Sequence, residues 1–318
     1  MTSYSVGMIL RSRYKIARII YQSQMFNVYY VEDLHLKGKV WAIKEMKMVA
    51  VDPQEKNRIM SQFHAEALNL TALSHPNIAK VVDFFIDSNS LYIVREYAPA
   101  VDLGNVIKKD PIEEKEVLSW GIQMADALNY LFSRKMPAVF FRELNLGNIL
   151  VSGQGNITLI DLGLARLFQT RQDLEAIKRT GSMDYAAPEQ FSEEGIFDMR
   201  TLVYNLGAIL FHCLTKVNPA STPFNLPAPQ SLRPEISDKT NQIILKATRY
   251  DPKERHPNLQ EMVKDLKGAM EQYQSPASVQ SWVQRKKNPA AANFFLWLLV
   301  LATGAAAVWL LYHFILRP

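Results

Sequence analysis

The stretch Phe141-Arg-Glu-Leu-Asn-Leu-Gly-Asn-Ile-Leu150, with Ile157-Thr-Leu-Ile-Asp-Leu-Gly163 shortly after it, decides how this chain folds. Two apolar runs flank Gly153-Gln-Gly-Asn156, a pattern that is typical of a hairpin between short strands. The hairpin carries Asn148 at its start and Asp161 at its end. An amide and a carboxylate beside a glycine supply the oxygen ligands that magnesium prefers. The pattern therefore predicts a hairpin that brings a metal site together.

The composition indicates a globular protein of a reducing compartment. With 318 residues, of which 48% are hydrophobic, the chain can bury one large core or two smaller ones. The formal charge of +5 is modest, and no zinc spacing or basic-aromatic pattern indicates nucleic-acid binding. The lone Cys213 excludes an intramolecular disulfide framework. Residues 1–15 lack the apolar core of a secretory signal.

The carboxy-terminal end of the chain predicts a membrane anchor. From Phe294 to Ile315 the sequence is nearly all apolar, and about 20 such residues span a hydrocarbon core as a helix. The basic cluster at 285–287 precedes it and should stay in the cytoplasm, together with the amino-terminal body. A buried core helix is the alternative interpretation. We expect a polar and basic linker over 269–292 and a single transmembrane helix over 293–315.

The opening stretch resembles the catalytic and metal-binding loops of the protein kinase family, His-Arg-Asp-Leu-x-x-x-Asn and Asp-Phe-Gly. Five residues stand at the positions of the family: Arg142, Leu144, Asn148, Asp161 and Gly163. Three residues replace its His, Asp and Phe: Phe141, Glu143 and Leu162. The resemblance implies that Asn148 and Asp161 hold Mg²⁺, while Glu143 stands at the degenerate proton-acceptor position. A displacement of about 1 Å at such a position can cost ~10²-fold in rate.

The segment Val40-Trp-Ala-Ile-Lys44 resembles the Val-Ala-Ile-Lys strand of the same family. Glu66, in the predicted helix 53–73, falls where the family places the Glu that pairs with this Lys. The resemblance implies that Lys44 contacts ATP phosphates and that Glu66 braces it. Without the resemblance, Lys44 would be a strand lysine whose charged end reaches water.

The strand 91–97 resembles the segment that enters the kinase hinge, and the resemblance implies an ATP site there. Backbone groups at Glu96 and Ala98 would bind adenine. Three apolar residues match those that sandwich the adenine ring: Val28, Ala42 and Leu150. Arg95 stands at the usually apolar gatekeeper position, and its charge needs a partner. Glu66 or Asp161 could supply it, or the side chain could reach solvent.

The glycine-rich loop of the family is missing from this chain. Tyr21, Ser23 and Phe26 align with its three glycines, and their side chains crowd the space that phosphates would occupy. Taken alone, the hairpin over 14–31 is better interpreted as structural than as nucleotide-binding.

The second half of the chain also follows the order of the family. Gly181-Ser-Met-Asp-Tyr-Ala-Ala-Pro-Glu189 resembles the end of an activation loop, and Glu189 should pair with Arg255. Leu202 replaces an Asp that anchors the catalytic loop in kinases. We expect an apolar stack in place of that anchor, formed by Leu202, Phe141, Leu70 and Leu162.

These observations predict an α+β, two-lobed protein kinase-like fold over residues 14–268, after a tail over 1–13. The small β-rich lobe would cover about 14–97 and the large helical lobe about 98–268. The resulting functional hypothesis is a membrane-anchored serine/threonine kinase-like protein that binds ATP and Mg²⁺, acts on an unidentified protein partner in signalling, and has impaired catalysis. One alternative is an active kinase that uses Glu143. The other is a scaffold whose cleft is closed by its own side chains.

Overall fold

The structure is a computed structural model that describes residues 4–48, 51–87, 89–109, 112–134, 144–162, 184–192 and 198–273. The chain divides into two compact units, residues 1–269 and 270–318. Several predicted features lie outside the described residues: the transmembrane helix over 293–315, the linker beyond 273, and Phe141, Arg142, Glu143 and Gly163. In the part of the chain that is described, no helix combines the length and the apolar character needed to cross a bilayer.

The amino-terminal lobe is an antiparallel sheet of six strands in the order β1-β2-β3-β4-β6-β5, with one helix, α1. The strands are β1 (Ile9–Leu10), β2 (Tyr14–Gln22), β3 (Phe26–Asp33), β4 (Val40–Lys47), β5 (Val81–Asp87) and β6 (Ser90–Glu96). Residues of alternating burial place one face of β2 and β3 in a core that includes Tyr14, Ile16, Tyr29 and Val31. The predicted hairpin and the strands that follow it are confirmed.

Helix α1 (Pro53–Thr71) begins where its capping residues dictate. The side chain of Asp52 accepts hydrogen bonds from the amides of Gln54 and Glu55, at 2.9 and 3.0 Å. Residues three and four apart face the sheet, namely Ile59, Phe63, Glu66, Ala67 and Leu70. The helix ends two residues before the predicted Leu73, because the amides of 72 and 73 form tighter turns to 69 and 70.

The carboxy-terminal lobe is mostly helical, as predicted. Its small sheet has the order β7-β8-β9, with β7 (Ala100–Asp102), β8 (Ile149–Ser152) and β9 (Ile157–Leu159). Its described helices are α2 (Leu103–Lys108), α3 (Glu114–Ser133), α4 (Met199–Thr215), α5 (Pro229–Leu232), α6 (Asp238–Ala247) and α7 (Leu259–Met270). The described elements therefore form two lobes, one rich in strands and one rich in helices.

Glycine lets the central helix α4 approach its neighbour closely. A Cβ atom at Gly207 would lie 2.7 Å from the Cβ of Ala247 on α6, which is closer than two such carbons can pack. Helix α4 is buried along most of its length. The core of this lobe is therefore built around one apolar helix, which explains why Leu202, at its amino-terminal end, is only 2% exposed.

A buried ion pair braces the same lobe. The guanidinium of Arg255 donates to both carboxylate oxygens of Glu189, at 2.7 and 2.9 Å. The hydroxyl of Thr201 also donates to Glu189, and the guanidinium lies 4.8 Å from the centre of the Tyr204 ring. The predicted Glu189–Arg255 pair is confirmed. Its two-pronged geometry and added hydrogen bond offset the cost of burying both charges.

Candidate functional site

The β8–β9 hairpin places the two predicted metal ligands side by side. Asn145 caps a single helical turn, because its side chain accepts from the amide of Gly147 at 2.9 Å. The amide of Ile160 then donates to the carbonyl of Asn148 at 2.9 Å. This bond closes the hairpin and brings the residue after Ile160, Asp161, next to Asn148. Asp161 has a φ of 57°, a left-handed conformation that Asp tolerates better than most residues.

The cleft between the lobes is bridged by an ion pair between Lys44 and Asp161. The Nζ atom of Lys44 lies 2.9 Å from Oδ2 of Asp161, across 117 residues of sequence. Only 14% of the Lys44 side chain and 9% of the Asp161 side chain are exposed. A lysine in an apolar strand is stable there because it forms an ion pair with a buried carboxylate.

The pairing of Lys44 with Glu66 was the prediction, and among the described residues no such ion pair forms. Glu66 is buried on α1 and is not without a partner. Lys44 turns instead to Asp161, which would otherwise be a buried carboxylate facing only one cation. The role of Glu66 as the brace of Lys44 stays a prediction.

Arg95, at the gatekeeper position, faces the other oxygen of the same carboxylate. Its Nε atom lies 3.5 Å from Oδ1 of Asp161, and the residue is 6% exposed. Of the three predicted arrangements for Arg95, the structure has the one with Asp161. Neither Nε nor Oδ1 forms a hydrogen bond to any described group. The two atoms border a cavity of about 20 Å³, which is room for about one water.

Two cations, Lys44 and Arg95, therefore face the single buried carboxylate of Asp161. Burial raises the pKa of Asp161, but the charges of Lys44 and Arg95 outweigh burial and hold the pKa below its ordinary value. Asp161 is therefore ionised at neutral pH, and the three groups together carry a net positive charge. A positive, partly closed cleft of this kind favours an anionic ligand.

The predicted magnesium ligands do not fit a metal ion in this arrangement. Both oxygens of Asp161 already face cations, so a divalent ion would add a third positive group to the same carboxylate. Within the described residues, no group of three or more His, Cys, Asp or Glu side chains could hold a metal.

The tip of the β2–β3 hairpin covers Lys44 from above. The ring of Phe26 lies 4.9 Å from the Lys44 ammonium, and Tyr21 stacks on Phe26 with ring centres 5.0 Å apart. The amide of Ser23 donates to the carbonyl of Phe26, and the amide of Phe26 donates to the hydroxyl of Ser23. The turn thus uses amides that a glycine-rich loop would offer to phosphates, as the predicted crowding implied.

The contact between Phe26 and Lys44 is one that the sequence analysis missed. Phe26 and Val28 lie on the same face of β3, and Val28 pairs with Lys44 in the neighbouring strand. The strand register, combined with alternation, would have placed the ring diagonally beside the ammonium. The strand register is therefore the sequence signal that could have predicted the contact between Phe26 and Lys44.

The predicted adenine slot lies beside this cluster. Ala42 is buried and pairs with Arg95 on β6, while Val28 and Leu150 are half-buried. The amide of Glu96 donates to the carbonyl of Lys80 at 2.9 Å. The adenine contacts of Glu96 and of the half-buried Ala98 stay a prediction. Asp102 caps α2, where its carboxylate accepts from the amide of Asn105 at 2.9 Å, as expected of a helix cap.

Comparisons with known proteins identify the family of this chain. The profile of the family described as "Protein kinase domain" matches residues 25–275. The serine/threonine-protein kinase PrkC of Bacillus subtilis is 29% identical over 278 residues, which cover 84% of this chain and 42% of PrkC. The serine/threonine-protein kinase PknB of Mycobacterium leprae is 28% identical over 278 residues, which cover 81% of this chain and 43% of PknB. The chain thus spans less than half the length of these curated relatives.

Solved structures show the same fold. The kinase domain of Mycobacterium tuberculosis PknI superposes with a TM-score of 0.65 at 22% identity, over 84% of this chain and 99% of that domain. The apo form of PpkA superposes with a TM-score of 0.69 at 21% identity, over 83% of this chain and 99% of that structure. With its small β-rich lobe, its large helical lobe and a family match over most of its length, the chain belongs to the protein kinase family.

Proposed function

We propose that this chain is a serine/threonine kinase-like signalling protein that binds ATP between its lobes and transfers phosphoryl groups weakly or not at all. The observation that carries the proposal is the 2.9 Å ion pair between Lys44 and Asp161. Phosphoryl transfer depends on positioning and on neutralising charge, and these two groups are the ones that kinases use for both tasks. The PrkC and PknB relatives, which are described as kinases, add support.

Binding ATP requires a local change at Lys44. Its ammonium would exchange the Phe26 ring, and part of its contact with Asp161, for phosphate oxygens. Because charged hydrogen bonds to phosphate are stronger than a cation–π contact, the exchange is favourable once the ring moves. The predicted Mg²⁺ at Asn148 and Asp161 is not part of this proposal, since both oxygens of Asp161 already face cations.

Impaired transfer follows from the residues that depart from the family. Glu143, at the proton-acceptor position, is a carboxylate that is one methylene longer than the Asp of the family. The hairpin over Tyr21 to Phe26 uses its own amides to close its turn. Positioning of both the hydroxyl and the phosphates is therefore weakened, and losses in positioning multiply.

A thermal shift measurement tests the ATP-binding part. ATP should raise the melting temperature of the full chain, and Lys44→Met should abolish the shift. The control is Lys15→Met, which changes an exposed lysine on a nearby strand and should leave the shift intact. A wild-type chain that shows no shift, even at millimolar ATP, would favour the closed scaffold instead.

An active kinase is the second candidate, and the described relatives favour it. Transfer of radiolabelled phosphate from ATP to a generic protein substrate, or to the chain itself, decides between the two. We expect a rate at least ~10²-fold below that of an intact kinase. A normal rate that disappears in both Glu143→Ala and Asp161→Asn would establish the active kinase and overturn the proposal of weak transfer.

We also propose that residues 293–315 anchor the chain in a membrane with the kinase-like domain in the cytoplasm. The support is the apolar run that follows the basic cluster at 285–287. The full chain should stay with membranes in alkaline carbonate, while a chain ending at 287 should not. Release of the full chain by carbonate would contradict the anchor.

A further inference from the structure

We propose that Arg95 takes the place of the divalent cation, so that the cleft binds ATP without Mg²⁺. The inference rests on the proposed ATP-binding function and adds the form in which the nucleotide is taken: the metal-free polyanion. The inference concerns the side chain of Arg95 and the carboxylate of Asp161.

The first step is geometric. In the described part of the chain, the Nε atom of Arg95 is buried and makes no hydrogen bond, and it lies 3.5 Å from the carboxylate of Asp161. A buried N–H donor without a hydrogen bond is costly, because it has given up water without a replacement. Such a group is expected where a ligand completes the arrangement.

The second step is electrostatic. A carboxylate at the position of Asp161 repels the phosphates of ATP unless a cation lies between them. Here Lys44 and Arg95 already neutralise it, and they leave one positive charge in surplus. At short range in a partly buried site, such charges interact more strongly than in water. The repulsion that a metal ion would cancel is therefore cancelled by the protein itself.

The third step concerns the shape of the donor. A guanidinium presents its N–H groups in a planar fork that matches phosphate oxygens, and it remains charged at any physiological pH. A lysine or an apolar gatekeeper offers no such fork. Lys44 faces Oδ2 of Asp161 and Arg95 faces Oδ1, so phosphate oxygens that approach this carboxylate could be bound by two protein cations.

The test compares ATP affinity with and without metal, on the full chain, by isothermal titration. In EDTA and in millimolar MgCl₂ the dissociation constants of the wild type should agree within about threefold. In Arg95→Met, which keeps the length but loses the charge, affinity in EDTA should fall by about tenfold or more. Added Mg²⁺ should restore it. Arg95→Lys, which keeps the charge, should lose less.

Two outcomes overturn the inference in distinguishable ways. If the wild type binds ATP in MgCl₂ but at least about tenfold more weakly in EDTA, the metal is required and Arg95 does not replace it, while the proposed function stands. If no ATP binding occurs in either condition, the proposed function fails and the inference fails with it. The comparison of wild-type ATP affinity in EDTA and in MgCl₂ tests the inference even if Arg95→Met does not fold.

Discussion

Two buried carboxylates in this protein are held in opposite ways. Glu45, on β4, is 3% exposed and accepts hydrogen bonds from neutral donors on the two neighbouring strands, β3 and β6. The donors are Tyr29 at 2.6 Å, Asn27 at 2.7 Å, Ser90 at 3.0 Å and Tyr92 at 3.1 Å. Asp161 is also largely buried, with 9% of its side chain exposed, yet it faces two cations, and its Oδ1 atom accepts no hydrogen bond within the described residues.

The difference separates a structural site from a site prepared for a ligand. Glu45 belongs to a network in which each of these four donors has an acceptor, which rigidifies the sheet and leaves none of these donors free to bind a ligand. Asp161 belongs to a cluster with surplus charge and unsatisfied atoms, which a native core does not normally retain. Lys44 and Glu45 are adjacent in sequence. Because side chains alternate between the two faces of a strand, Lys44 lies in the cleft and Glu45 lies in the network on the other face.

The largest expected effect is on stability, at the structural carboxylate. Glu45→Ala leaves buried hydroxyl and amide donors without an acceptor, and each such group costs about 1–3 kcal/mol. We expect a loss of about 3 kcal/mol in the free energy of unfolding, measured by urea denaturation. Glu32→Ala, at an exposed position of β3, should change it by less than about 0.5 kcal/mol. Equal losses in the free energy of unfolding for the two substitutions would contradict the structural role of Glu45.

A smaller effect is expected at the aromatic cover of Lys44. Phe26→Gly removes the ring that lies 4.9 Å from the ammonium and opens the space for phosphates. A cation–π contact of this kind is worth about 1 kcal/mol, so ATP affinity should rise about fivefold. Met25→Gly makes the same backbone change at an exposed neighbour and should leave affinity unchanged. Weaker binding by Phe26→Gly would show that the ring supports the ligand instead of excluding it.

The smallest expected effect is the pH dependence at Asp161. Burial raises its pKa, but Lys44 and Arg95 lower it further than burial raises it, so the folded pKa lies below the unfolded one. Such a group stabilises the fold above the unfolded pKa of about 3.9 and loses that contribution as pH falls toward the folded pKa.

The stability difference between the wild type and Asp161→Asn should therefore be constant from pH 7 to about pH 5 and should shrink below about pH 4. Urea denaturation of both proteins at several pH values measures it. A difference that stays constant down to pH 3 would show that the carboxylate is not stabilised by its two cations.

Much of the fold follows from local pattern. Alternation predicts the β2–β3 hairpin, and two apolar runs around Gly153-Gln-Gly-Asn156 predict β8 and β9. The order of motifs also places Lys44 opposite Asp161, although 117 residues separate them. These features depend on short-range spacing or on a shared family order, both of which a single sequence contains.

The partners of long side chains do not follow from pattern in the same way. Arg95 had three possible arrangements, and only the packing of the cleft selects Asp161. The expected pairing of Lys44 with Glu66 is not the one that forms among the described residues. Glu45 gave no signal, because a carboxylate beside a lysine in a strand is typical of a solvated edge. Its partners come from two strands, β3 and β6, that only the folded sheet brings to either side of β4.

One measurement tests the central claim most directly: labelling of the full chain with an acyl phosphate of ATP, a reagent that acylates the lysine nearest the bound phosphates. Peptide mass spectrometry should find Lys44 modified above all other lysines, and excess ATP should protect it. Exposed lysines such as Lys15 should react slowly and without protection by ATP. Labelling of Lys44 that matches Lys15 and is unaffected by ATP would contradict a nucleotide held between Lys44 and Asp161.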